Sequence, residues 1–155
     1  MRVLVIEDSD AKWKRVEEII STSLPIAEIV RARDLFEGER AITTPGWDLL
    51  ILDMSLDIRA GAGRAGAAHD YVGGLKILGK MYYDELEMPT IIITGFDSFP
   101  TVRTNGDGIM LGLEDVETEA SRHLGDRLIG TVRHMSEGWE QRFEAMLASF
   151  RSAGA

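Results

Sequence analysis

Three short apolar runs stand out along the chain: Val3-Leu4-Val5-Ile6, Leu49-Leu50-Ile51-Leu52 and Ile91-Ile92-Ile93. Aliphatic runs of this length without alternation are the pattern of strands covered on both faces. Two weaker strands are expected at Ala27 to Ala32 and Arg127 to Arg133. Between the strands the period changes to that of a helix. Ser9 or Asp10 is placed to cap a helix carrying Trp13, Val16, Ile19 and Ile20, with Pro25 ending the segment. Asp34 and Glu37 have the spacing of a capping box for a helix through about Thr43, followed by a Pro45-Gly46 turn. Leu75, Leu78 and Met81 or Tyr82 mark a third helix, and Leu113, Val116, Ala120 and Leu124 a fourth. A fifth, capped by Ser136, lines up Trp139, Phe143, Met146, Leu147 and Phe150.

Five strands alternating with five helices predict a doubly wound α/β fold: a five-stranded parallel sheet with helices on both faces, in the flavodoxin-like order 2-1-3-4-5. No internal repeat or interdomain linker interrupts it. One domain over residues 1–150 with a short tail at 151–155 is expected. Two long loops break the regular alternation. The Gly/Ala-rich stretch from Asp57 to Gly74 reads as a mobile loop, and a second loop runs from Asp97 to Met110 around Asn105-Gly106-Asp107-Gly108. Both fall at the rim formed by the carboxyl ends of the strands, as a lid, a partner surface or tolerated insertions.

Composition narrows the function classes. Seventeen Lys plus Arg against 26 Asp plus Glu give a formal charge of -9, the wrong sign for a reader of phosphate backbones, so direct nucleic-acid binding is disfavoured. Cysteine is absent, which excludes a disulfide framework, a cysteine nucleophile and thiolate metal sites. No apolar run approaches a membrane span, and the amino-terminal run is too short for a signal segment; a cytoplasmic location is expected.

In such a sheet, ligands bind outside the carboxyl ends of the strands, at the switch point between the first and third. Glu7 and Asp8 end the first strand and Asp53 ends the third. Three carboxylates brought together repel one another unless a cation neutralises them, and an all-oxygen set suits Mg²⁺ better than Zn²⁺. His69, His123 and His134 lack a second histidine at ligand spacing, and Trp13, Trp47 and Trp139 read most simply as core or groove anchors. Gly61-Ala62-Gly63 has no following Lys-Ser/Thr and is a poor phosphate cradle.

The segments Ile6-Glu7-Asp8, Leu52-Asp53-Met54 and Ile93-Thr94-Gly95 resemble the receiver domains of two-component response regulators, over Met1 to about Phe150. The resemblance implies that Asp53 accepts a phosphoryl group from the phosphohistidine of a histidine kinase or phosphotransfer protein. It implies that Glu7, Asp8 and Asp53 hold Mg²⁺ with the backbone carbonyl of Ser55, and that the Thr94 hydroxyl bonds the new phosphoryl oxygens. A stand-alone receiver is then expected, signalling through contact with an output protein, with a homodimer left open.

The chain departs from that family where a lysine ends the fifth strand. Its lysines are Lys12, Lys14, Lys76 and Lys80, all earlier. Counting back from Ser136 puts Arg133 at the lysine position and His134 after it, with Arg133 the favoured substitute. The family's aromatic switch position falls on Gly130, so output coupling is expected to be missing or rerouted. Two alternatives stand beside the receiver. One is a pseudo-receiver, folded alike but serving as an interaction module. The other is a Mg²⁺-dependent phosphohydrolase or nuclease-like domain using Glu7, Asp53 and Asp57. Haloacid-dehalogenase-like phosphatases need an acid where this chain has Ser55, and a Toprim-like site needs acids closer in sequence than Asp53 and Asp57.

Overall fold

The computed structural model describes residues 1–59, 69–103 and 105–154. The main sheet is built from β1 (Arg2–Ile6), β2 (Glu28–Ala32), β3 (Leu49–Leu52), β6 (Thr90–Thr94) and β9 (Leu128–Arg133). All its pairings are parallel, in the order β2-β1-β3-β6-β9, the 2-1-3-4-5 arrangement expected from the alternation of apolar runs. Four helices connect the strands, α1 (Asp10–Ser23), α2 (Leu35–Ala41), α3 (Gly73–Tyr83) and α4 (Leu113–Leu124), and a fifth, α5 (Trp139–Ala153), follows the last strand.

Side chains alternate across each strand, so the apolar runs feed two cores. Leu4, Ile6, Leu50, Leu52 and Ile92 face α3 and α4 through Ile77, Leu78, Met81, Val116 and Ala120. Val3, Val5, Ile51, Ile91 and Ile93 face α1 and α5 through Val16, Ile19, Ile20, Phe143 and Leu147. Each such side chain, fully covered, contributes about 1.5–3 kcal/mol. This holds the strand ends, and the acids beyond them, in one register.

Helix starts follow the expected chemistry at two positions. Ser9 Oγ accepts from Lys12 N, and Asp34 Oδ1 accepts from Glu37 N while Glu37 reaches back to Arg33 N. The fifth helix does not begin as expected. Ser136 donates its hydroxyl to the Arg133 carbonyl instead of capping, and the chain turns through positive φ at Met135 and Gly138 before α5 starts at Trp139.

The two rim loops carry structure of their own. Asp97 to Met110, expected as a loop, folds largely into an antiparallel hairpin of β7 (Ser98–Val102) and β8 (Gly108–Gly112), pinned to the core by fully buried Phe99. In the other, β4 (Leu56–Asp57) pairs antiparallel with β5 (His69–Asp70), placing His69 opposite Asp57. The Gly/Ala stretch at 60–68 lies outside the described residues. No helix among the described residues is long and apolar enough to cross a membrane.

Candidate functional site

The ladder itself sets the acidic rim. Glu7 N donates to the Ala32 carbonyl and Asp53 N to the Ile6 carbonyl, each at 3.0 Å, so both acids leave the sheet at the same edge. Arg31 on β2 fixes the backbone behind them, donating from Nε to the Glu7 carbonyl at 2.8 Å and from Nη2 to the Asp8 carbonyl at 3.0 Å. Carboxylate oxygens of Glu7, Asp8 and Asp53 consequently lie within 4.8 Å of one another. On the far side, Gly74 allows α3 to approach: a Cβ there would sit 2.5 Å from the Asp53 carbonyl oxygen.

The cation beside these acids is Lys12, which sequence reasoning overlooked. Its ammonium lies 2.6 Å from Asp53 Oδ2 and 2.7 Å from Glu7 Oε2, with the side chain buried. Glu7 Oε1 accepts from Ser9 N at 2.9 Å, so that carboxylate is fully engaged. A signal for Lys12 was present in the helical period. It precedes Val16 by four residues and Ile19 by seven, on the stripe that α1 buries. Burial pushes the Asp53 carboxyl up and the Lys12 ammonium down, and each group's charge opposes the other's shift.

Arg133, the expected lysine substitute, pairs outside the acidic cluster. Thr94 pairs with Arg133 in the ladder, but the Arg133 side chain reaches Asp97 Oδ1 at 2.8 Å, so its charge is spent on that acid. Asp97 directly precedes the hairpin, whereas Asp53 is already paired with Lys12. His134 lines a cavity that Asp53 also borders, and stands edge-on to Trp139 at 4.7 Å. Its pKa is lowered, by burial first and by the Lys12 charge second.

Thr94 is fully buried at the end of β6, its Oγ1 accepting from Phe96 N at 3.4 Å. Ser55, two residues beyond Asp53, is buried, with its N–H 3.5 Å from Asp53 Oδ1. Asp8 Oδ2 accepts from Asp57 N at 2.8 Å. The Asp8 pKa is raised, by burial first and, after the opposing Asp57 N–H bond, by the Asp57 charge. Asp8, Asp53 and Ser55, together with Lys12, His69 and His134, line a cavity of about 320 Å³.

The donor set fits Mg²⁺. With Lys12 on one oxygen of Glu7 and one of Asp53, there remain the Asp8 carboxylate and Asp53 Oδ1, both hard oxygens. A second cluster, Asp8, Asp57 and His69, also comes within 4.8 Å. There both ring nitrogens of His69 are already bonded, Nδ1 to Asp57 and Nε2 to Ser55.

No protein-family model and no curated protein matches this sequence. Solved structures do match. A response regulator receiver protein from Pseudoalteromonas atlantica superposes with a TM-score of 0.68 at 8% identity, all of each chain covered. The N-terminal domain of an uncharacterized protein from Wolinella succinogenes gives 0.65 at 20% identity, covering 99% of this chain and 96% of that one. A CheY-like receiver domain protein from Methanospirillum hungatei JF-1 gives 0.60 at 16% identity, covering 98% and 97%. The chain therefore has the receiver fold.

Proposed function

We propose that this chain is a phosphorylatable receiver in which Asp53 takes a phosphoryl group from the phosphohistidine of a histidine kinase or phosphotransfer protein. The observation that carries the reading is the buried Asp53 carboxylate, held 2.6 Å from the Lys12 ammonium at the switch point of a receiver fold. As the histidine N–P bond breaks and the Asp53 O–P bond forms, Lys12 counters the negative charge gathered there. It supplies from α1 the charge that the resemblance places on the last strand. Asp8, Asp53 and the Ser55 carbonyl, with Glu7 behind them, are the residues to hold Mg²⁺. When bound, that ion neutralises charge on the transferring oxygens. Thr94 donates its hydroxyl to the phosphoryl group and carries the change to Phe96 and the hairpin. The readout is a contact with an output protein in the cytoplasm, because phosphorylation adds about 1.5–2 negative charges at one rim.

The second reading, a pseudo-receiver, is favoured by one observation: Lys12 bridges Glu7 and Asp53, the two acids otherwise neutralised by a divalent ion. Beryllofluoride titration in Mg²⁺, followed by tryptophan fluorescence, separates the two. Saturable binding lost in Asp53→Asn supports the receiver. No response in the wild type supports the constitutive module.

A further inference from the structure

Beside Asp53 lies a second constellation that phosphoryl acceptance does not use. His69 Nε2 is 2.6 Å from Ser55 Oγ, and His69 Nδ1 is 2.7 Å from Asp57 Oδ1. A hydroxyl, an imidazole and a carboxylate are thus joined in line through opposite nitrogens of one ring. This is the geometry by which a carboxylate orients an imidazole and the imidazole takes a proton from a hydroxyl. The parts come from different places. Ser55 follows the acceptor by two residues, while Asp57 and His69 face each other across the short β4–β5 ladder. Tyr71 stands edge-on to His69 at 4.8 Å and fixes its plane. Ser55 and His69 open onto the same cavity as Asp53.

We propose that Ser55, His69 and Asp57 form a proton relay that hydrolyses the phosphoryl group on Asp53, making the domain a self-resetting switch. The inference rests on the phosphoacceptor reading. A water oxygen forms the new bond to phosphorus as the bond from phosphorus to Asp53 breaks, and that electron pair returns to the Asp53 carboxylate. The water's proton passes to Ser55 Oγ while the hydroxyl proton of Ser55 passes to His69 Nε2. Asp57 holds Nδ1–H and stabilises the imidazolium, which then releases its proton to the departing phosphate or to solvent. The products are inorganic phosphate and free Asp53, and no further reactant is needed. Ser55 and His69 are the catalytic residues of this step, and Asp57 positions His69.

The test is the decay of the phosphorylated protein. Wild type, Ser55→Ala, His69→Gly and Asp57→Asn are phosphorylated with acetyl phosphate and Mg²⁺, freed of donor by gel filtration, and followed by release of inorganic phosphate. Each variant should decay at least about tenfold more slowly than wild type, at the low end of what a positioned acid or base contributes. The double variant Ser55→Ala/His69→Gly should be no slower than the slower single one, because the groups act as a unit. Imidazole added to His69→Gly should restore decay in proportion to its concentration, which a merely structural role for His69 would not produce. Decay within about twofold of wild type in the variants, or no rescue by imidazole, overturns the relay. The two readings fail at different steps. No phosphoryl on Asp53 in any protein, wild type included, removes the phosphoacceptor reading and the relay with it. Equal incorporation followed by equal decay removes the relay alone.

Discussion

Lys12 Nζ and Asp53 Oδ2 are 2.6 Å apart, although one belongs to the first turn of α1 and the other directly follows β3. The contact exists because Ser9 caps α1 immediately after the acidic pair, which turns the third helical residue back over the strand ends. A buried ion pair is weak evidence for net stability, but removing one partner of it is costly.

Lys12→Met should therefore destabilise the protein by about 3–5 kcal/mol at neutral pH in EDTA, since it leaves Glu7 and Asp53 buried without their cation. Urea unfolding at pH 7 and near pH 4.5 checks this. The deficit should shrink at the lower pH, where the orphaned carboxyls take up protons, and in millimolar Mg²⁺. A loss below about 1 kcal/mol at pH 7 contradicts the pairing.

Asp8→Asn should have the opposite sign in EDTA. The Asp8 pKa is raised in the folded state, so the unfolded chain ionises first as pH rises and stability falls across that interval. The asparagine removes the penalty. The variant should melt higher than wild type at pH 7, the gain vanishing as pH drops below the ordinary carboxylate range of about 4. In Mg²⁺ the order should reverse, because wild type alone gains from ion binding.

Gly74→Ala tests the close approach of α3 to the acceptor. The added Cβ would sit 2.5 Å from the Asp53 carbonyl oxygen and 2.8 Å from Met54 Cα, both backbone atoms that cannot rotate away. A loss of about 1–3 kcal/mol is expected from overpacking. Weakened beryllofluoride binding should accompany it, because the displaced backbone carries Asp53.

Thr131 offers a gain. Its Oγ1 is the one buried side-chain polar atom without a hydrogen-bond partner among the described residues. Thr131→Val should raise stability by about 1 kcal/mol or more, read as a higher denaturant midpoint with an unchanged slope. An unchanged or lower midpoint shows that the hydroxyl has a partner in solution.

Much of the architecture is readable from apolar runs because a strand buried on both faces leaves no other pattern. Leu49–Leu52 and Thr90–Thr94 coincide with the expected strands. The acids at the rim are readable for the same reason, since each closes such a run. The hairpin β7–β8 was not, because its strands carry Gly, Pro, Ser and Thr, and only Phe99 is buried along it. Ser136 misled because a cap residue is equally suited to a tight turn, here closed onto the Arg133 carbonyl. Lys12 was passed over since a lysine on a helix is ordinarily solvated. Its place on the Val16–Ile20 stripe distinguishes it, and only burial gives that place meaning. The meeting of Ser55, Asp57 and His69 depends on a two-residue ladder across a Gly/Ala insertion, for which no local pattern exists.

The most direct test of the account is mass spectrometry of the intact protein and its peptides after treatment with acetyl phosphate and Mg²⁺. The account predicts one added phosphoryl group, mapped to Asp53, absent in Asp53→Ala and greatly reduced in Lys12→Gln, but present in Asp57→Ala. A phosphoryl group that persists in Asp53→Ala, or a wild-type protein that gains none, contradicts it.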